Sequence, residues 1–233
     1  PLPAYVLYNA ELLDFAEAAK ARAVLGSAKV VAFAAYADEA LKQIADVIVP
    51  IGLLPEIEAT LVNVDGLVQT TVPGGALQGS AQPGWRALRA LAELLQAKGF
   101  EFTDLAGLRE TLSLQAVSSD DRIAVSPLPS ASGIERVAMV PIYRVDAVVR
   151  RSSALQGTPI AEPAALRING AEAQRLSLKD AGRARVRMGD AAIQLPVWID
   201  DSVPEGAARI DAGFDTTAVL PPTGALSIEG VAP

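Results

Sequence analysis

In the first part of the chain, short continuous apolar runs take turns with sets of apolar residues at helical spacing. Tyr5 to Tyr8 predicts a short strand, and Asn9 is placed to cap a following helix. Leu12, Leu13, Phe15, Ala16, Ala19 and Ala23 recur at helical spacing, predicting one helix from Ala10 to Leu25 that Gly26 ends. Lys29 to Ala35 is a continuous apolar run, as in strands buried on both faces of a parallel sheet. A short helix over Asp38 to Ile44 and a strand over Val47 to Val49 follow, the strand stopped by Pro50, which cannot donate to a ladder. Strand, helix, strand, helix, strand at this spacing predicts a βαβαβ unit, part of a doubly wound parallel sheet in an α/β fold.

Beyond Pro50 the chain passes Pro55, Glu56 and Glu58 and enters Leu61 to Gln69, where Asp65-Gly66 sits between β-branched residues as a turn needing a positive φ would. This predicts a small hairpin close to the carboxyl edge of the sheet, the edge at which open α/β sheets bind ligands. The first strand is followed by Asn9-Ala10-Glu11-Leu12, with neither a G-x-G-x-x-G nor a P-loop pattern. Gly74, Gly75 and Gly79 read as a connector. Pro83-Gly84-Trp85 opens a predicted helix over Arg86 to Lys98 that Gly99 ends, with Trp85 packing on the domain. Another helix is predicted over Phe102 to Leu112, with Thr103 as its cap.

The Pro- and Ser-containing stretch from Ala124 to Gly133 is the best linker. The division read from the sequence is an α/β domain over 1–123, a linker over 124–140 and a β-rich domain over 141–233. Predicted strands there are Val137 to Tyr143, Leu166 to Ile168, Ala184 to Met188, Ala192 to Ile199 and Ala207 to Ile210. Asn169 caps a helix over Gly170 to Leu176, and Asp200 to Gly206 forms a loop.

Composition removes much of ordinary enzymology. The 233 residues hold no cysteine and no histidine, which excludes disulfides, thiolate nucleophiles, cysteine-ligated clusters and Ser-His-Asp sites in this segment. A formal net charge of −7 argues against a nucleic-acid or acidic-membrane surface. No apolar run is long enough for a membrane span, and no secretory signal opens the chain, which is expected to be soluble. Pro1-Leu2-Pro3, without an initiator methionine, suggests a piece of a longer protein. The paired carboxylates Glu56 and Glu58, Asp120-Asp121 and Asp200-Asp201 read as solvated or turn-capping groups rather than acid–base pairs. Arg150-Arg151 has the chemistry to hold a phosphate, but reads first as a pair forming surface or subunit salt bridges.

Two stretches carry a resemblance. Ala45-Asp46-Val47-Ile48-Val49-Pro50, Glu56, Ala59-Thr60, Asn63, Asp65-Gly66 and Gln69 resemble, in order and spacing, a segment of the molybdopterin oxidoreductase superfamily. That family usually has Gly at the position of Ala59 and Arg at that of Leu67. It also opens the later helix with proline, an acid and Trp, where this chain has Pro83-Gly84-Trp85. Leu166 to Ile210 resembles the family's C-terminal six-stranded double-psi barrel. The family's leucine-glycine-leucine and acid-glycine-acid turns read Leu176-Ser177-Leu178 and Asp180-Ala181-Gly182 here, as if the glycine had moved by one place. Pro141 to Asp146 stands where pterin binders have Thr-Gly-Arg, and Thr223 to Ser227 where they have Asn-x-Leu-Thr. The run at Pro141 is similar to the G subunits of bacterial NADH:quinone oxidoreductase (complex I).

That resemblance implies an oxidoreductase subunit whose own segment here is non-catalytic and structural. It implies no catalytic, cofactor-binding or metal residue in this segment. The 4Fe-4S and 2Fe-2S clusters that relay electrons from NADH towards quinone are expected in cysteine-rich regions nearer the N-terminus. Its partners would be other peripheral-arm subunits, on the cytoplasmic side of the inner membrane, without nucleic acid and without direct membrane insertion. The alternatives are the pterin-binding part of a molybdenum or tungsten enzyme of formate dehydrogenase or nitrate reductase type, and a free-standing small-molecule binding module. A vestigial ligand site between Asn63 and Gln69 is left open.

Overall fold

A computed structural model describes residues 1–112 and 133–231. In chain order the first elements are β1 (Ala4–Tyr8), α1 (Ala18–Leu25), β2 (Lys29–Ala34), α2 (Glu39–Ile44), β3 (Val47–Pro50), β4 (Ala59–Val62), β5 (Val68–Thr71), α3 (Gly84–Leu94) and α4 (Leu105–Thr111). They are followed by β6 (Ile134–Val137), α5 (Ala147–Arg151), α6 (Ser153–Gln156), β7 (Leu166–Ile168), α7 (Gly170–Arg175), β8 (Arg183–Met188), β9 (Ala191–Ile199), β10 (Ala207–Arg209) and β11 (Ala225–Val231). The described residues form two compact units, one of 2–10 and 28–112, the other built from 11–27 and 133–231. The interleaving means that no single cut along the chain separates them. Residues 124–132 of the predicted linker, and Asp120-Asp121, lie outside the described residues. Residues Ile134–Val137, expected in that linker, form strand β6 instead.

In the first unit β1, β2 and β3 form a parallel sheet in that order. Central β2 is almost continuously buried through Val30, Ala32 and Phe33, as its apolar run predicts. The Asp38 carboxylate accepts from the Leu41 N–H at 2.7 Å and starts α2. The Asp46 carboxylate ties the start of β3 to that of β2, accepting from the Val30 N–H and from Lys29 at 2.8 Å each. Those bonds, the Lys29 one foremost, hold its pKa below the ordinary carboxylate value. The hairpin β4–β5 closes through a turn in which the Gly66 N–H donates to the Asn63 carbonyl at 3.0 Å, with Gly66 at φ +81°. Two helix readings shift. The third helix starts at Gly84 and stops at Leu94, where Gln96 turns left-handed at φ +53°. At α4 it is Asp104, not Thr103, that accepts the capping N–H, from Gly107 at 2.8 Å.

The second unit is a closed six-stranded barrel in the order β10-β6-β11-β8-β9-β7. The pairs β10–β6 and β7–β9 are parallel and the other four antiparallel. Alternate residues face inward, and Leu166, Ile168, Ala184, Val186, Leu195, Val197 and Ala208 fill the interior. The strand expected over Val137 to Tyr143 is displaced: β6 precedes it, and Ile142–Arg144 is a 3-10 turn.

The helix expected over Ala10 to Leu25 is interrupted. Leu12–Asp14 makes one 3-10 turn, Phe15 is extended, and α1 begins only at Ala18. The Glu11 N–H donates to Asp14 Oδ2 at 2.8 Å, and both carboxylates are held by α5 arginines, so this turn cannot continue into the helix.

Between α7 and β8 the backbone is left-handed at two non-glycine residues, Ser177 (φ +54°) and Ala181 (φ +58°). The left-handed place of the Asp180-Ala181-Gly182 turn is therefore still its middle one, now filled by alanine. Gly182 is needed for another reason: a Cβ there would lie 2.9 Å from the Lys179 carbonyl oxygen. Ala181→Gly is accordingly expected to stabilise the barrel by roughly 0.5–1 kcal/mol, the left-handed penalty less the freedom glycine gains when unfolded. Gly182→Ala should destabilise it. Denaturation midpoints of the two variants should move in opposite directions.

Candidate functional site

The carboxyl edge of the parallel sheet is the place where a ligand would be expected. The chain itself covers it. The Gln82 N–H donates to the Pro50 carbonyl at 3.2 Å and the Gly52 N–H to the Gln82 carbonyl at 3.0 Å, so Ile51 and Gln82 form a parallel bridge beyond β3. The Ile51 N–H donates to the Ala34 carbonyl at 3.2 Å, at the end of β2. Asn9 caps no helix. It is left-handed at φ +49°, and its N–H donates to the Phe33 carbonyl at 2.7 Å, closing the end of β1 onto β2.

The start of α3 closes the same edge. Gly84 is buried against the Tyr8 ring, and a Cβ at Gly84 would come within 1.8 Å of the Tyr8 hydroxyl oxygen. Burial raises the Tyr8 pKa. The position that carries an acid in the resembled family is therefore occupied here by a tyrosine ring from β1. Gly84→Asp should force that ring out and cost about 1–3 kcal/mol. Tyr8→Ala in the same chain should return most of the loss, read as unfolding midpoints of the single and double variants. Trp85 packs on Phe102, ring centroids 6.2 Å apart, as expected for a packing residue.

The residues of the resembled motif have local tasks. Glu56 Oε2 accepts from the Leu53 N–H at 2.9 Å and caps its own 3-10 turn. Glu58 pairs with Arg109 of α4 at 2.7 Å, and the Thr60 hydroxyl accepts from Arg109 Nε at 2.9 Å. Asn63 Oδ1 accepts from the N–H groups of Asp65 and Leu67 at 3.0 and 2.8 Å, fixing the hairpin turn. Gln69 pairs in register with Leu61. The Gly74 and Gly75 N–H groups both donate to the Pro55 carbonyl, at 2.9 and 3.0 Å. The hydrogen bonds and ion pair of Glu56, Glu58, Thr60 and Asn63 are all made to other groups of the same chain. Among the described residues no group of three or more acidic side chains is arranged to hold a metal ion.

Arg150 and Arg151 pair with acidic residues of the same unit. Arg150, 5% exposed, reaches Glu11 Oε2 at 3.0 Å and Asp14 Oδ1 at 2.7 Å and donates to the Arg144 carbonyl at 2.9 Å. Arg151 meets Glu11 Oε1 at 2.7 Å. The result is an internal ion cluster that binds the turn before α1 to α5. Asp200 accepts from the Ser202 hydroxyl at 2.6 Å and its N–H at 3.0 Å, which lowers its pKa. Asp201 Oδ1 accepts from the Gly170 N–H at 2.9 Å. Both aspartates cap and pin turns, as the sequence suggests.

A polar centre absent from the sequence reading is Arg136 on β6, 3% exposed inside the barrel unit. Its Nε and Nη2 donate to the Ile210 carbonyl at 3.2 and 3.0 Å, and its Nη1 to the Leu220 and Pro221 carbonyls at 3.0 and 2.5 Å. The guanidinium clamps both ends of the segment between β10 and β11. Burial lowers its pKa, and Asp211 partly offsets this. The sequence signal was slight: an arginine within a four-residue strand that was assigned to a linker.

The two units together define a fold class. Over 95% of its length the chain superposes, with a TM-score of 0.63 and 14% identity, on acetylene hydratase from Pelobacter acetylenicus, of which it covers 40%. The fold is that of the molybdopterin oxidoreductases, a parallel α/β sheet and a six-stranded barrel. Sequence similarity points to a narrower group. The chain is 35% identical over 97 residues to the NADH-ubiquinone oxidoreductase 78 kDa subunit, mitochondrial, of Neurospora crassa. It is 31% identical over 125 residues to the NADH-ubiquinone oxidoreductase 75 kDa subunit of Reclinomonas americana. Over these stretches the chain is thus similar to large subunits of NADH-ubiquinone oxidoreductase, in line with the resemblance its motifs carry. The matched stretches are 41% and 48% of this chain but only 13% and 18% of those relatives. No family profile matches the sequence.

Proposed function

We propose that this chain is the structural C-terminal portion of the large iron–sulfur subunit of an NADH:quinone oxidoreductase. The observation that supports this reading is the covered carboxyl edge, the edge at which open α/β sheets bind ligands: Tyr8 lies against Gly84, Ile51 bridges Gln82, and Glu56 caps its own turn. In this reading the α/β unit and the barrel are retained as a scaffold, and the cluster of Arg150, Arg151, Glu11 and Asp14 gives the barrel unit rigidity without chemistry. Electrons from NADH travel through iron–sulfur clusters carried elsewhere in the subunit, because this segment has no cysteine or histidine to ligate one. The partners are other subunits of the peripheral arm, on the cytoplasmic side of the inner membrane. No helix among the described residues is long and apolar enough to cross a membrane, which accords with attachment through other subunits.

An affinity tag on the full-length chromosomal gene tests this. The tagged protein should come out of the membrane fraction in a large assembly that oxidises NADH with a quinone acceptor. Isolation as a free single-subunit protein would contradict the proposal.

A further inference from the structure

The outer face of β8 carries arginines at successive outward positions, Arg183, Arg185 and Arg187, between the inward-facing Ala184, Val186 and Met188. At the two-residue repeat of a strand the guanidinium stems stand about 7 Å apart, a basic stripe about 13 Å long. Three of the chain's 20 basic residues thus fall within six positions of a protein with net charge −7. The flanks are small or neutral: Ala192, Gln194 and Pro196 on β9, and Ser227 on β11. One acid, Glu229, lies opposite Arg185 in register, yet no salt bridge forms between them. The Arg183 side chain makes a single long bond to the Gln194 carbonyl, at 3.4 Å, and the guanidinium groups of Arg185 and Arg187 make no hydrogen bond or ion pair with another described residue.

Charged residues on a strand often guard an open sheet edge. That purpose is missing here, because β8 is paired on both sides within a closed barrel. Like charges at this spacing repel one another, and Glu229 stands opposite Arg185 alone, while Arg183 and Arg187 have the uncharged Val231 and Ser227 opposite them on β11. We infer that this face of the barrel docks on a discrete acidic patch of a neighbouring protein subunit, whose carboxylates pair with Arg185 and Arg187. Planar guanidinium groups suit bidentate pairing with carboxylates. An extended polyanion is disfavoured by the net charge of the whole chain, which repels it at long range, whereas a local patch is screened from that charge.

This inference rests on the proposed membership of a multisubunit assembly. The native assembly, isolated through the tagged full-length protein, is labelled with phenylglyoxal before and after dissociation. Arg185 and Arg187 should be protected in the intact assembly and labelled at least about tenfold faster once released, and equal rates would overturn the inference. The variant R183E/R185E/R187E in the full-length gene should lose this subunit from the assembly at a lower salt concentration than wild type, with the glutamine variant intermediate. An unchanged salt profile would also overturn it. If the wild-type protein binds phosphatidylserine vesicles or DNA and the variant does not, the face serves a polyanion and the inference fails. Absence of any assembly around the wild type is seen before any labelling or variant, and it overturns the functional proposal itself.

Discussion

Arg136→Met is expected to destabilise the barrel unit by about 3 kcal/mol or more, the loss of charge-assisted hydrogen bonds to buried carbonyls. The guanidinium satisfies the carbonyl oxygens of Ile210, Leu220 and Pro221 at once. Methionine fills the volume and leaves those acceptors without a donor. Arg136→Lys keeps the charge but has no fork able to reach three carbonyls, so it should recover only a minor part of the loss. Hydrogen exchange gives the most specific readout. Amides of β10 and β11, whose connecting segment the arginine clamps, should lose protection first, while those of β8 and β9 follow only with global opening. Uniform loss across the barrel would mean that Arg136 acts as bulk packing and not as a clamp.

Arg150→Met is expected to cost about 3 kcal/mol, the lower end of the range for breaking a buried ion pair. It falls at that end because Arg151 still holds Glu11 at 2.7 Å. The Glu11 side chain, 6% exposed, would lose one of its two cations, and Asp14 would lose the only one recorded for it. In the triple variant Arg150→Met, Glu11→Gln, Asp14→Asn no buried charge lacks a partner, so more than half the loss should return. Unfolding midpoints of the single and triple variants decide the point. Additive losses would show that the residues act independently and that the cluster is no unit.

The same cluster marks the limit of what the sequence conveys. The apolar spacing from Leu12 to Ala23 is helical, and a single helix over Ala10 to Leu25 is its natural reading. The break comes from two carboxylates, Asp14 and Glu11, drawn to Arg150, which is 136 and 139 positions away, a contact that no local window contains. Asn9 failed as a cap for a similar reason: the hydrogen bond of its N–H to Phe33 belongs to the sheet, not to a helix. In contrast, β2, α2 and the hairpin turn at Asp65-Gly66 rest on local rules that the tertiary structure leaves unopposed. Burial on both faces, a short helix after β2 and a left-handed glycine were each legible in advance, while the capping role of Asp38 emerges from the structure.

The candidate site was legible as a location and not as a state. The first part of the motif, Ala45 to Pro50, leads through β3 to the sheet's carboxyl edge, where Ile51 bridges Gln82. What it could not convey is that Tyr8, more than seventy positions earlier, lies against Gly84 and explains why an acid is missing there. Nor could the turn at Asp180-Ala181-Gly182 be read from its composition. The glycine stands one place later than in the resembled pattern, the left-handed position stays in the middle, and Gly182 answers to the Lys179 carbonyl instead. The arginines of β8 were within reach, since R-x-R-x-R at strand spacing puts all three on one face. The net charge of −7 averages over this local excess of positive charge.

The central claim is that this fold serves as a scaffold without its pterin. The most direct test is the iron, molybdenum and tungsten content of the assembly isolated through the full-length protein. The account predicts iron in amounts fitting several clusters per complex, with molybdenum and tungsten far below one atom per subunit. Stoichiometric molybdenum or tungsten would contradict it, and the edge closed by Tyr8, Gly84 and Gln82 would then have to open around a cofactor.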